Sequence, residues 1–171
     1  MKKLAVLLCS ISMLLSCEKD DICDQATTPK MVFSFYDITD TSLEKSPVDF
    51  AVFGEGNETA INQSVNGAND SFKAGIPLKT SADSSTFLFI QNYTDENETN
   101  TDTLTVNYSR NEVYVSRGCG FKTNFTLNDT NGVALTADTD NWIQNIEIEN
   151  SVITNENGFC CEFQAQGWRV V

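Results

Sequence analysis

Histidine is absent from the 171 residues. That removes the commonest general base, the usual partner of a nucleophilic serine or cysteine, and the commonest metal ligand. Positive charge is scarce as well: 11 Lys and Arg stand against 24 Asp and Glu, for a formal charge of −13. Nucleic acid is held by clustered Lys and Arg on its phosphates, so it is not an expected partner. The longest apolar run, residues 4–15, falls short of the ~20 residues that cross a bilayer as a helix. Enzymes do work without histidine, and a glycosidase needs only two carboxylates. Abundant surface carboxylates do not say which pair would converge, however, so the expectation is a non-enzymatic chain with no cofactor and no metal.

What is present begins with an address. Lys2 and Lys3 form a charged start, residues 4–15 an apolar core and Ser16 a small residue before Cys17, which together read as a secretory signal over residues 1–16. A cysteine placed after Leu14, Leu15 and Ser16 resembles the lipobox of bacterial lipoproteins, which implies acylation of Cys17 as the first mature residue. Removing Lys2 and Lys3 with the signal moves the formal charge from −13 to −15. The run Glu18, Lys19, Asp20, Asp21 reads either as a solvated tether or, by resemblance, as the export signal that carries Bacteroidota lipoproteins to the outer face of the outer membrane. Lys19, Asp20 and Asp21 are then the export residues. The expected location is the outer membrane, lipid-anchored, with the surface face favoured over the periplasmic one.

Residues 17–30 lack an apolar period and read as the tether, leaving residues 31–171 as one domain. Short β-rich runs follow at residues 31–38, 47–53 and 60–65, and an edge strand is expected at residues 72–80 because Pro77 lies inside it. Residues 85–93 alternate poorly and are expected to be central and covered on both faces. Residues 94–102 hold no apolar residue and are expected to form an exposed loop. Leu104, Val106 and Tyr108 recur at period two, a tight turn is expected at residues 109–112, and Val113 and Val115 resume. Residues 121–127, 142–153 and 159–163 supply the remaining strands. No stretch keeps a helical period. The expected fold is all-β, a single antiparallel β-sandwich, immunoglobulin-like or similar.

Once Cys17 is acylated, four mature cysteines remain: Cys23, Cys119, Cys160 and Cys161. They allow three full pairings or none, and an oxidising envelope favours bonds. Cys23 with Cys119 is preferred, since it would staple the N-terminal segment to a glycine-flanked turn. Cys160 and Cys161 alternate across a strand, so neither is expected to bond the other, and Cys161 reads as a buried thiol in phase with Phe159 and Phe163. Arg117, Gly118, Gly120 and Lys122 surround Cys119 and form a candidate patch for an acidic or carbohydrate partner, or a β-bulge with solvated charges. The carboxylates at residues 95–98 and 138–141 invite Ca²⁺, but neither has EF-hand spacing. Trp142 and Trp168 are candidate platforms for sugar rings if exposed. Asp102-Thr103-Leu104 resembles a Bacteroidota O-glycosylation motif and marks Thr103.

The stretches "CEKDDICDQATTPK", "FSFYDI", "YSRNEVYVSRGCGFKTNF" and "NWIQNIEI" together resemble a family of Bacteroidota lipoproteins catalogued as a domain of unknown function. The combination of "DDIC" near the start with "RGCG" far later implies the Cys23 to Cys119 bond, whereas Cys160 and Cys161 depart from the pattern. No activity comes with the resemblance. It implies an accessory role beside an outer-membrane β-barrel protein. The competing class is a surface glycan-binding module or a carboxylate-based glycosidase.

Overall fold

The computed structural model describes Cys23, residues 27–44, Pro47 and residues 49–64 and 73–165. Among these residues the chain forms strands and no helix: β1 (Lys30–Asp37), β2 (Asp40–Glu44), β3 (Phe50–Gly54), β4 (Ala60–Ser64), β5 (Lys73–Pro77), β6 (Ser84–Gln91), β7 (Asn100–Ser116), β8 (Gly120–Leu127), β9 (Val133–Leu135), β10 (Ile143–Ile148), β11 (Val152–Ile153) and β12 (Phe159–Ala165). One sheet runs β10-β12-β1-β2 with β5 also against β1; the other runs β11-β8-β7-β6-β3-β4 with β9 against β7. The two sheets pack face to face, so the β-sandwich expected from the short, turn-separated strands is the fold. One pair departs from the antiparallel rule: β1 and β12 run parallel, in register from Phe33 against Cys161 to Asp37 against Ala165. Strands from opposite ends of the chain thus meet at the centre of one sheet.

The core is aromatic. Phe33 stacks on Phe163 at 4.9 Å and meets Phe35 edge-on at 5.4 Å, while Phe50 and Phe89 from the second sheet close on them within 6 Å. Each of these rings is buried, and full burial of such a side chain is worth about 1.5–3 kcal/mol. β5 lies on the edge of its sheet with Pro77 against Lys30, a position where the missing N–H costs little. β6 is central, between β3 and β7. Its burial alternates cleanly, with Phe87, Phe89 and Gln91 inside and Leu88 and Ile90 half-buried outside. The expectation that the strand alternates poorly and is covered on both faces is corrected: one face is buried and the other only half-buried.

β7 overturns two expectations. No turn interrupts residues 109–112, which pair with β8 from Ser109 opposite Thr126 to Glu112 opposite Thr123. These four polar residues occupy an exposed stretch of strand, and the chain reverses instead at residues 117–119, followed by Gly120, whose φ of +70° supplies the left-handed conformation. The exposed loop also ends earlier than residue 102, because β7 begins at Asn100 and Asp102 is fully buried. A third correction concerns residues 142–153, which are two strands in different sheets: β10 pairs with β12 and β11 with β8.

Cys160 and Cys161 are joined to each other, Cα–Cα 3.7 Å, contrary to the reading that they point to opposite faces. The cause is a bulge. Val32 pairs with Phe159 and Phe33 with Cys161, so Cys160 is the extra residue on β12. An inserted residue breaks the period of two and re-aims the side chain, and both sulfurs end fully buried in the core.

Candidate functional site

Beyond residue 108, β7 leaves the body of its sheet. Its pairing with β6 ends at Asn107 opposite Ser84, and from Ser109 to Ser116 its neighbour is β8. The result is a hairpin arm, flanked by β11 at Phe125 and Thr126 and two-stranded beyond them, that closes through Arg117, Gly118 and Cys119. Cys119 is bonded to Cys23, 96 positions earlier, with Cα atoms 4.7 Å apart. Residues 27–29 lie against the β8 side of the body. Thr28 Oγ1 accepts the Thr123 amide at 3.1 Å, Asn155 Nδ2 donates to the Thr27 carbonyl at 2.8 Å, and Lys122 Nζ donates to Asn155 Oδ1 at 2.7 Å. Pro29, already buried, leads into β1.

The arm presents an aromatic pair. Tyr114 and Phe121 sit opposite one another across the hairpin with ring centroids 5.4 Å apart, edge to face, and are 59% and 68% exposed. No other large apolar side chain among the described residues is as open to solvent. Arg117 and Gly118 are exposed beside them. The patch residues Arg117, Gly118, Gly120 and Lys122 are therefore gathered at one tip with Cys119. The aromatic pair was missed in the sequence because Tyr114 lies in phase with the buried Tyr108 and carries no local sign that the facing sheet stops short of it.

Asp102 and Tyr108, on the other half of β7, hold structure. Asp102 accepts the amides of Ile143 at 2.7 Å and Trp142 at 3.3 Å and the Asn141 side chain at 3.2 Å, which ties β7 to the start of β10 in the facing sheet. Burial pushes its carboxyl above the usual value, and these donors pull partly against that. Asp102 thus has a structural role independent of the short glycosylation pattern, and Thr103 is half-buried within β7, its carbonyl accepting the Thr136 amide at 2.9 Å. The Tyr108 hydroxyl donates to the Lys79 carbonyl at 2.9 Å and lies 2.6 Å from Ser85 Oγ, which itself accepts the Lys79 amide. Burial raises the Tyr108 hydroxyl above its ordinary pKa. Arg110 adds Asp83 at 2.7 Å and the Thr80 carbonyl at 2.6 Å, so the loop before β6 is pinned to β7.

Other candidates resolve differently. Trp142 is 3% exposed and its Nε1 donates to the Phe89 carbonyl, so it is a core residue and cannot stack on a sugar. Trp168, Cys17, Lys19, Asp20 and Asp21 lie outside the described residues. The carboxylates at residues 95–98 and 138–141 are turn residues: Asp95 Oδ1 accepts the Asn97 amide and Asp138 Oδ1 the Asp140 amide. A cluster not singled out by sequence lies on the outer face of the first sheet, where carboxylate oxygens of Glu147, Glu149 and Glu162 come within 4.8 Å of one another. Cross-strand pairing of Glu147 with Glu162 brings them together, and the amides of Asn145 and Gln164 already donate to Glu147. No described helix is long and apolar enough to cross a membrane.

Fold and site define a class: a β-sandwich with a projecting hairpin arm whose turn is stapled to the N-terminal segment. The chain belongs to the family of unknown function DUF6452, whose sequence model matches residues 49–159. The matched span takes in the arm and Cys119 but not Cys23 or β1. No curated protein and no solved structure matches the chain.

Proposed function

We propose that the chain is a lipid-anchored, non-enzymatic envelope protein of the outer membrane, acylated on Cys17 and acting as an accessory subunit for an integral membrane partner, such as an outer-membrane β-barrel protein. The observation that carries the reading is the Cys23–Cys119 bond. Six peptide steps separate Cys17 from Cys23, a span of at most about 20 Å when fully extended. An acyl anchor on Cys17 would therefore hold the arm close to the bilayer, and a partner met there must itself lie at the membrane. Lys19, Asp20 and Asp21 would direct the protein to the outer face. The non-enzymatic part of the reading is supported by the absence of histidine and by Glu147, Glu149 and Glu162 lying on an open sheet face, whereas a glycosidase sets its two carboxylates about a bound sugar.

Extraction of the native protein in mild detergent, followed by affinity capture, tests this. Recovery with a membrane protein supports the accessory role, and recovery only as a free monomer sinks it. Cys17→Ala should abolish acyl labelling and release the chain from membranes. Changing Lys19, Asp20 and Asp21 together to Ala should keep the lipid and reduce protease access on intact cells.

The glycan-binding alternative retains one favouring observation, the exposed Tyr114 and Phe121 rings. Binding on a glycan array that is lost in Tyr114→Ser would promote it.

A further inference from the structure

We infer that the tip of the β7–β8 arm is a membrane-docking surface that inserts Tyr114 and Phe121 into the headgroup region of the bilayer carrying the N-terminal anchor. The inference deepens the lipid-anchored reading and rests on it.

Three independent observations converge on this occupant. The first is reach. Cys119 is covalently joined to Cys23, so the turn of the arm can lie no farther from the anchor than the short 17–23 segment allows, about 20 Å at full extension. The second is chemistry. The two most exposed large apolar side chains of the described residues stand together at this tip, 5.4 Å apart. Aromatic rings with an exposed edge are the residues that settle at a membrane–water boundary, and on a soluble face they would be an unexplained apolar patch. The third is charge. In a chain of formal charge −13, the exposed Arg117 stands in the turn itself, while Lys122 is held by Asn155 on the opposite face of the hairpin. Long cationic side chains beside buried rings keep their heads among anionic headgroups. The rest of the acidic body, including the Glu147, Glu149 and Glu162 face, is repelled by the same surface. Repulsion of the body with attraction of the tip selects one orientation: arm down, sandwich away.

Docking would supply a second attachment. Lipid chains alone leave a protein free to swivel, and firm anchoring commonly takes a chain plus a basic or apolar patch. Here the disulfide makes the two attachments a single unit, so the sandwich is presented to a neighbour in a fixed attitude.

The test supplies the anchor artificially, so that it does not depend on natural acylation. The full mature chain, with a histidine tag in place of the acyl group at position 17, is bound to vesicles of phosphatidylethanolamine and phosphatidylglycerol containing nickel-chelating lipid, and amide hydrogen exchange is compared with the same chain in solution. Exchange across residues 112–122 should slow several-fold on vesicles and remain unchanged in β3 and β6. The double variant Tyr114→Ser/Phe121→Ser should lose the protection while still co-floating with vesicles, with core exchange unaltered. Arg117→Gln should weaken it on these vesicles and leave little difference on purely zwitterionic ones. Equal exchange at the tip with and without vesicles overturns the inference. So does protection that appears in solution and rises with protein concentration, which would assign the patch to a second copy, or protection by soluble glycan in place of vesicles. Mass analysis of the Cys17 peptide from native membranes reports separately on acylation, so failure of the anchor and failure of the docking tip give different results.

Discussion

The two halves of β7 follow one alternation and reach opposite outcomes. From Asn100 to Tyr108 the strand has β6 on one edge and β9 along part of the other, and residues 102, 104, 106 and 108 are buried. From Ser109 to Ser116 it has β8 for a neighbour, and Tyr114, in the same phase, is 59% exposed. Alternation decides which side chains share a face. What covers that face is decided by strands far away in sequence. The covered half carries the polar contacts that fasten the sheets, and the bare half, beyond Arg110 and its hold on Asp83 and Thr80, carries side chains open to something else.

The sharpest way to break the comparison is to attack Asp102. Asp102→Ala strands the buried amides of Trp142 and Ile143, each costing about 1–3 kcal/mol when left without an acceptor. Urea unfolding should show a loss of about 3 kcal/mol or more. Cys23→Ser should come next. Loop-closure entropy sets an upper value of about 4–5 kcal/mol for a bond across 96 residues, and measured effects are typically 2–4. Because Thr27 and Thr28 are separately held by Asn155 and Thr123, the segment from residue 27 onward should keep its place, with exchange faster only around residues 117–123. Tyr108→Phe removes the bond to Lys79 and leaves Ser85 with one partner fewer, for about 1–2 kcal/mol. At the far end of the scale, Tyr114→Ser should change stability by no more than about 0.5 kcal/mol, since its ring is mostly in water. An equal cost for Tyr108→Phe and Tyr114→Ser would erase the distinction between the halves.

Acidity sharpens the same contrast. Burial raises the Asp102 carboxyl above its ordinary value of 3.8, so the native state holds this proton to higher pH than the unfolded chain. Its contribution to stability is therefore greatest below the unfolded value, falls as pH rises through the folded value, and is flat above. The stability of the wild type relative to Asp102→Asn should increase on acidification through the range just above 3.8. A difference that is constant or that shrinks there would contradict the assignment.

Much of the sandwich was legible because its signals are local. Leu104, Val106 and Tyr108 announce their face at period two, and Pro77 correctly marks an edge. What was not legible depended on distant partners. Residues 109–112 look like a turn by composition, but polarity there reflects an arm standing in solvent, and the positive φ that a reversal uses is at Gly120. Asp102 looks like the end of an acidic loop until the amides of Trp142 and Ile143 are brought to it. Cys160 and Cys161 look like opposite-facing residues until a bulge against β1, paired from the other end of the chain, turns both inward. For the site, the cationic and glycine residues around Cys119 were visible, and the aromatic pair that accompanies them was not.

The proposed membrane attachment depends on a covalent path from Cys17 to the tip of the arm through the Cys23–Cys119 bond. Protein isolated from native membranes and digested with chymotrypsin without reduction follows that path in one measurement, since residues 17–33 and 115–121 each end at a phenylalanine. The predicted product is the 17–33 fragment, beginning at an acylated Cys17, linked through Cys23 to the 115–121 fragment through Cys119, with Cys160 and Cys161 recovered together on one peptide and two hydrogens lighter than the dithiol. A Cys23 fragment linked to Cys160 or Cys161, or one whose N-terminus extends back into residues 1–16 without lipid, would contradict it.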